Sequence, residues 1–278
     1  SIEQSVRVLR ALGERGNYLQ LREQHPREPA LAPKPELDEM FDRAKAEGRD
    51  LFEYEAKHLL REHGIEVPRE IVVRSEADLA DAVATFGETP LAMKVVSKDI
   101  LHKSDAGGVK LNLVGEVALR RARDEILASC LAYDAQADIE GVLVAPMAKQ
   151  GIEVIVGVIR DPIFGPVLMF GLGGIFVEIL EDVAFRSIPL SRHDAQSMVE
   201  QIKARKILEG ARGEPAVDKT ALVELLLSVS RIAAAYPGLS ELDLNPVIVN
   251  ADGYAVVDAR VIVAREAVSH EESQESVA

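Results

Sequence analysis

The chain has 278 residues, 47% of them hydrophobic and 28% charged, enough for one large domain or two modest ones with real cores. Its 32 basic and 46 acidic residues give a formal net charge of −14, which argues against a general nucleic-acid role because no basic patch offsets it. A single cysteine, Cys130, excludes a disulfide framework and a cysteine-based zinc site and fits a reducing cytoplasm; no signal peptide or membrane-spanning apolar run is present.

Apolar positions Ile2, Val6, Leu9 and Leu12 predict a helix over residues 1–22. It starts directly at Ser1 without methionine, as expected of a processed or cut piece of a longer chain. A charged stretch with Pro26, Pro29, Pro33 and Pro35 reads as a linker, so residues 1–47 form the first segment. Residues 53–63 read as a helix stopped by Gly64, and 65–73 as a strand. Ser75 with Asp78 forms a capping box that opens a helix to about Phe86. Strands follow at 91–96 and 109–114, then a helix over 116–132 that carries Cys130 as a small core residue.

Apolar strands at 139–147 and 152–159 are joined by Lys149-Gln150-Gly151, a hairpin signal. Further strands are expected at 166–170, 175–180 and 183–189, with a glycine turn at 171–174 and helices at 191–205 and 218–236. The last strands, 242–250 and 254–263, flank the turn Asn250-Ala251-Asp252-Gly253. The tail from 266 to 278 is polar and acidic and reads as disordered. Strands, helices and several hairpins together define an α+β fold of two lobes, 48–145 and 146–265.

Three stretches carry chemistry. In the first, Lys94 ends a strand and is followed by the loop His102-Lys103-Ser104-Asp105-Ala106-Gly107-Gly108. A lysine supplies a point charge, Gly107 and Gly108 let backbone N–H groups approach an anion, and a neutral imidazole is a nucleophile or base that Asp105 would orient. The same glycines also suit an ordinary tight turn. In the second, Gly171, Gly173 and Gly174 lie between apolar strands and suit backbone packed closely against a ligand or another strand.

The third stretch is the terminal strand pair. Period two puts Glu241, Asp243 and Asn245 on one strand face, and Asp258 on the partner strand interrupts an apolar run beside them. Carboxylates and an amide oxygen on one face suit Mg²⁺ bridging phosphates; an exposed polar sheet face is the plainer alternative. Glu153, early in an apolar strand, either accepts hydrogen bonds from a ribose or faces solvent. Arg160 and Arg186 are phosphate clamps or salt-bridge partners.

From about Leu51 to Val263 the chain resembles the ATP-grasp part of the NDP-forming (ADP-forming) acyl-CoA synthetases, with the succinyl-CoA synthetase β subunit as a more distant relative. The strings that carry it are "MKVVSKDILHKSDAGGV", "GIEVIVGVIRDPIFGPVLMFGLGGIFVEILEDVAFRSIPL", "LEGARG" and "ELDLNPVIV…VVDARV", in the family's order. The resemblance implies an ATP-grasp fold whose two α/β lobes hold ATP or ADP between them, with adenine against Val142 to Met147, including Val144 and Met147. It implies Lys94 and Arg260 as phosphate contacts, Glu153 and the turn of Gly173 and Gly174 at the nucleotide, and Asn245 with Asp258 holding Mg²⁺, supported by Glu241 and Asp243. His102, flanked by Lys103 and Asp105, would relay a phosphoryl group from a phosphohistidine on a CoA-binding half, with Gly107 and Gly108 as hinges.

That CoA-binding half is absent here, so the resemblance implies it as a partner, with residues 1–25 as its tail, CoA bound through it, and an oligomeric assembly. The chain by itself would then be unable to complete acyl-CoA synthesis. Ala145 departs from the pattern, since relatives often carry glutamine there. Two other expectations fit the same residues less fully: an ATP-grasp carboxylate–amine ligase, which needs no histidine relay, and a non-catalytic nucleotide-sensing module fused to an acetyltransferase.

Overall fold

A computed structural model describes residues 23–29, 31–174, 182–210 and 215–265, with four isolated positions before residue 23. The helix expected over 1–22, the strand at 175–180 and the tail from Glu266 therefore lie outside the described residues, apart from those four positions. No helix among the described residues is long and apolar enough to cross a membrane.

The stretch expected to be linker is helical from Pro35. Helix α1 (Pro35–Ala46) has proline at its start, Glu36 and Asp38 in its first turn, and Arg43 and Lys45 in its last, each matched to the helix dipole. Leu37, Met40, Phe41 and Ala44 recur at helical spacing and are buried. Gly48, at φ +66°, ends it. Helix α2 (Glu53–Glu62) opens with the Glu55 carboxylate accepting the Phe52 N–H at 2.9 Å. Gly64, at φ +79°, stops it as expected. Of the strand expected over 65–73 only Ile71–Val73 pairs (β1), because Pro68 offers no N–H and Ile65 turns into a core with α2.

Helix α3 (Glu76–Phe86) has the Ser75–Asp78 capping box. Strands β2 (Leu91–Ser97) and β3 (Val109–Leu113), helix α4 (Gly115–Tyr133) and strand β4 (Ile139–Pro146) complete the first lobe. Its antiparallel sheet runs β1-β4-β2-β3 and packs on α3 and α4 through Leu79, Leu119, Ala122, Ile126 and Cys130.

The second lobe holds β5 (Ile152–Asp161), β6 (Gly165–Leu172), β7 (Val183–Ser187), α5 (Arg192–Gln201), α6 (Lys219–Ala235), β8 (Leu239–Asn250), β9 (Gly253–Val256) and β10 (Arg260–Val263). Its antiparallel sheet runs β10-β8-β5-β6-β7, with β9 also on β8. The hairpin expected at 149–151 is instead the lobe-to-lobe connection: β4 pairs in the first sheet and β5 in the second. Helix α5 ends before the expected 205, because the Asp182 carboxylate accepts the N–H groups of Lys203 and Ala204, each at 2.7 Å.

Helices α1 and α2 share their core with this second sheet: Leu37, Leu59 and Leu60 belong to the same buried cluster as Val156, Leu226 and Val261. Leu51 is tied there too, its N–H donating to the Val261 carbonyl at 3.2 Å. The chain thus lays two helices on the second lobe before it builds the first. The final predicted strand is also divided. Val257 to Ala259 leave the ladder between β9 and β10, which pair with successive halves of β8.

Candidate active site

Between the lobes lies a cleft of about 700 Å³. Strand periodicity decides what faces it. Along β2, Met93 and Val95 enter the first-lobe core, whereas Ala92 and Lys94 line the cleft. Along β4, Val142 and Val144 are in the core, and Leu143 and Ala145 line the cleft with Pro146 and Met147. Met147 is therefore where the resemblance put it, while Val144 has its side chain fully buried on the opposite face. The Met147 N–H is committed to the Pro90 carbonyl at 2.9 Å. Ile248 and Val249 supply the apolar wall from β8. Such a slot, apolar with a few charged groups at one end, suits an aromatic base with phosphates.

The charged end is built on a residue that sequence reasoning missed. Glu53, at the first turn of α2, is 7% exposed and accepts from three lysines. Lys94 approaches its Oε1 at 2.7 Å, Lys57 the same oxygen at 2.9 Å, and Lys103 its Oε2 at 2.5 Å. Burial opposes the ionised form of Glu53, but Lys94, Lys57 and Lys103 outweigh it and hold the carboxyl well below the usual range. Burial likewise works against charge on Lys57 and Lys103; Glu53 raises both, helped by Glu70 at Lys57 and by Asp258 at Lys103.

The break between β9 and β10 completes this end. Freed from the ladder, the Val257 carbonyl accepts from Lys94 at 2.9 Å and from Lys57 at 3.0 Å. Asp258, beside it, lies 3.3 Å from Lys94 Nζ and 3.7 Å from Lys103 Nζ. Lys94 and Lys103 carry the inter-lobe contact here, since both come from the first lobe and their partners from the second lobe or the helix packed on it.

A second cavity, about 1230 Å³, adjoins this cluster from the other side, and Glu53 lines both. His102, Lys103 and Asp105 line it from the first lobe; Asp243, Asn245, Asp258 and Arg260 line it from the second. His102 is exposed and makes no side-chain hydrogen bond to a described residue, which leaves its ring nitrogens open to the cavity. Arg260 is exposed too, its nearest acid being Asp50 at 3.9 Å.

Several expectations need correction. Gly107 and Gly108 form no anion cradle. Their N–H groups are spent on Ser104 O at 3.1 Å and Lys103 O at 2.7 Å, and a Cβ on Gly108 would meet Val95 Cγ1 at 2.6 Å. Glycine is required there for close packing on β2 and α4. Glu241, Asp243 and Asn245 do share an exposed face of β8, but Glu241 lies outside both cavities. Arg160 ties the end of α6, donating to Ala233 O, Tyr236 O and Leu239 O at 2.6–2.9 Å, and Arg186 bonds Ser197 and Gln201; neither lines either of these two cavities.

Glu153 does line the cleft. Gly173 packs on it, its N–H donating to the Glu153 carbonyl at 2.8 Å, and a Cβ on Gly173 would come within 3.1 Å of the Glu153 Cβ. Gly174, at φ +60°, continues the turn. These two glycines therefore close against the cleft strand rather than lining the cleft themselves.

The donor set discriminates between kinds of metal site. No group of three His, Cys, Asp or Glu side chains among the described residues could hold an ion. Asp243 has its carboxyl pushed up, first by loss of solvent and then by Asp258 and Glu241, with Arg260 opposing. Asn245, Asp258 and Asp243 around one cavity fit Mg²⁺ held by one or two protein oxygens and otherwise by phosphates and water; they do not fit an all-protein cage.

Two antiparallel α/β lobes facing a cleft with lysines clustered at one end define a module of the ATP-grasp class. A model of the ATP-grasp domain matches residues 43–263, and the chain belongs to that family. It is 47% identical over 227 residues to the acetate–CoA ligase (ADP-forming) I β subunit of Pyrococcus furiosus, covering 81% of this chain and 97% of that one. It is 42% identical to the acetate–CoA ligase (ADP-forming) I of Archaeoglobus fulgidus over 94% of this chain, but spans only 38% of that relative's length. The dinucleotide-forming acetyl-coenzyme A synthetase 1 of Ca. Korarchaeum cryptofilum, solved with coenzyme A and Ca-AMPCP, superposes with a TM-score of 0.78 at 43% identity, covering 81% of this chain and 99% of that one. The chain is thus the ATP-grasp module of an ADP-forming acyl-CoA synthetase.

Proposed function

We propose that this module binds Mg²⁺-ATP in the 700 Å³ cleft and exchanges a phosphoryl group with a CoA-binding half by way of His102. The complete reaction would interconvert a carboxylate, CoA and ATP with acyl-CoA, ADP and phosphate. The observation that carries the reading is the meeting of the two cavities at Glu53: the cleft ends at Lys94, and the His102 cavity begins on the other side of the same lysine cluster. A phosphoryl group at that boundary is within the field of Lys94 and Lys103, which suits a transfer whose barrier is lowered chiefly by position and charge.

In the relay, an imidazole nitrogen of His102 attacks the phosphorus of the partner's phosphohistidine and releases the partner's imidazole. An ADP oxygen then takes the group and frees His102. Lys94 and Lys103 offset the charge, and Arg260, exposed at the cavity rim, offers a further phosphate contact. Asn245 and Asp258 would hold Mg²⁺, with Asp243 beside them; the ion supplies charge neutralisation and a template for the phosphates. Leu143, Ala145 and Met147 would contact the base, and Glu153 the ribose side of the cleft.

Two relatives support the partner. The Pyrococcus match is itself a β subunit, and a Korarchaeum structure with coenzyme A and Mg-AMPPCP, 41% identical with a TM-score of 0.70, has its phosphohistidine segment pointing towards the nucleotide binding site. The test is His102→Ala in the enzyme reconstituted with its CoA-binding half. Loss of a conduit nucleophile should cut acyl-CoA formation by about 10³-fold or more while ADP binding persists. Near wild-type turnover would end the relay reading and favour direct acyl-phosphate chemistry of the carboxylate–amine ligase kind.

A further inference from the structure

Glu53 is unusual among the buried groups of this molecule. It sits on α2, whose apolar face packs in the second-lobe core, yet two of its three lysine partners belong to the first lobe. Lys103 is also the immediate neighbour of His102. Its side chain leaves the loop towards Glu53 Oε2 at 2.5 Å and Asp258 Oδ1 at 3.7 Å, so the loop bearing the histidine is fastened across the lobe boundary by this one side chain.

Among the described residues, no other hydrogen bond or ion pair of residues 101–105 reaches the second lobe. Leu101, His102, Ser104 and Asp105 are exposed, and the loop's own backbone bonds, such as Ala106 N–H to His102 O at 3.2 Å, are internal to it.

We propose that Glu53 is the positioning residue of the phosphoryl path. It docks the His102 loop onto the second lobe through Lys103, and through Lys94 it sets the phosphate end of the nucleotide cleft. The proposal rests on the functional reading above and adds to it a residue that touches neither the histidine nor the cofactor-holding oxygens. Its two arms are separable, because Lys94 lines only the nucleotide cleft and Lys103 only the histidine cavity. Lys57 is a third counter-ion, 1% exposed, which would keep the carboxylate in place when Lys94 or Lys103 leaves it. Glu53 can then release Lys94 or Lys103 to a phosphate without becoming an unpaired buried charge.

The test uses Glu53→Gln and Lys103→Met, each read in two ways. Amide hydrogen exchange followed by mass spectrometry on this chain should show residues 98–109 exchanging about tenfold or more faster in both variants, with β4 unchanged. Kinetics of the reconstituted enzyme should show Lys103→Met lowering kcat with little change in the nucleotide KM, and Glu53→Gln lowering kcat and raising that KM. If Glu53→Gln does not fold, Lys103→Met still decides the loop arm.

Wild-type exchange of residues 98–109 in Lys103→Met, or a uniform loss of active sites with kcat and KM per site unchanged, would overturn the proposal. Failure of the wild type to bind Mg²⁺-ATP would instead remove the functional reading and leave the exchange result standing.

Discussion

Glu53 and Lys57 are four residues apart on α2, a spacing that in a sequence suggests an exposed ion pair worth a few tenths of a kcal/mol. Here both are buried and bound into a network with Lys94, Lys103, Glu70 and the Val257 carbonyl. A group in such a network is costly to remove, because its partners are left charged and dry. Gly108 shows the same contrast between local and tertiary meaning. Its sequence context suits a phosphate loop, but its surroundings are Val95, the Lys103 carbonyl and Cys130, all of which a Cβ would meet within 3.1 Å. Gly108→Ala should therefore destabilise the chain by about 1–3 kcal/mol through overpacking, seen as a lower melting temperature. Unchanged melting with weakened nucleotide binding would restore the cradle role.

At the scale of elements, the helices before residue 65 belong structurally with strands that come a hundred or more residues later. Leu37 is fully buried in the core formed by α6 and the second sheet. Leu37→Ala should cost about 2–5 kcal/mol in denaturant unfolding, whereas the same change in a solvated linker would fall within ~0.5 kcal/mol. Element types were largely legible from periodicity and caps: the Ser75–Asp78 box and the alternation along β8 both appear as expected. Partnership between elements was not. Lys149-Gln150-Gly151 has hairpin chemistry, yet the strands on either side pair in different sheets. Turn residues report a local change of direction, while strand pairing depends on which apolar faces meet.

For the whole molecule, the site exists only where two separately cored lobes face each other, so ligand binding should couple them. Saturating Mg²⁺-ATP should raise the melting temperature, by mass action worth about 2.7 kcal/mol at a hundredfold excess over Kd. In Asn245→Ala plus Asp258→Ala the Mg²⁺-dependent part of that shift should disappear while a smaller metal-independent shift persists. A double variant that keeps the full Mg²⁺-dependent shift would refute the assignment of those oxygens.

The class of molecule is written in local features: α+β lobes, an ordered set of strings resembling one family, and the positions of Lys94, His102, Asn245 and Asp258 within them. Those features are local or nearly so, since a strand's period, a cap and a motif each lie within a few residues. Tertiary structure alone decided that Glu53 joins the lobes, that Val144 faces inward while Leu143 and Ala145 face the cleft, and that β9 and β10 part at Asp258 so that a backbone carbonyl can accept from two lysines. Burial made the difference. A charge is interpretable as functional only once its solvent has been taken away, and which charges lose their solvent depends on contacts between residues as far apart as Glu53 and Asp258.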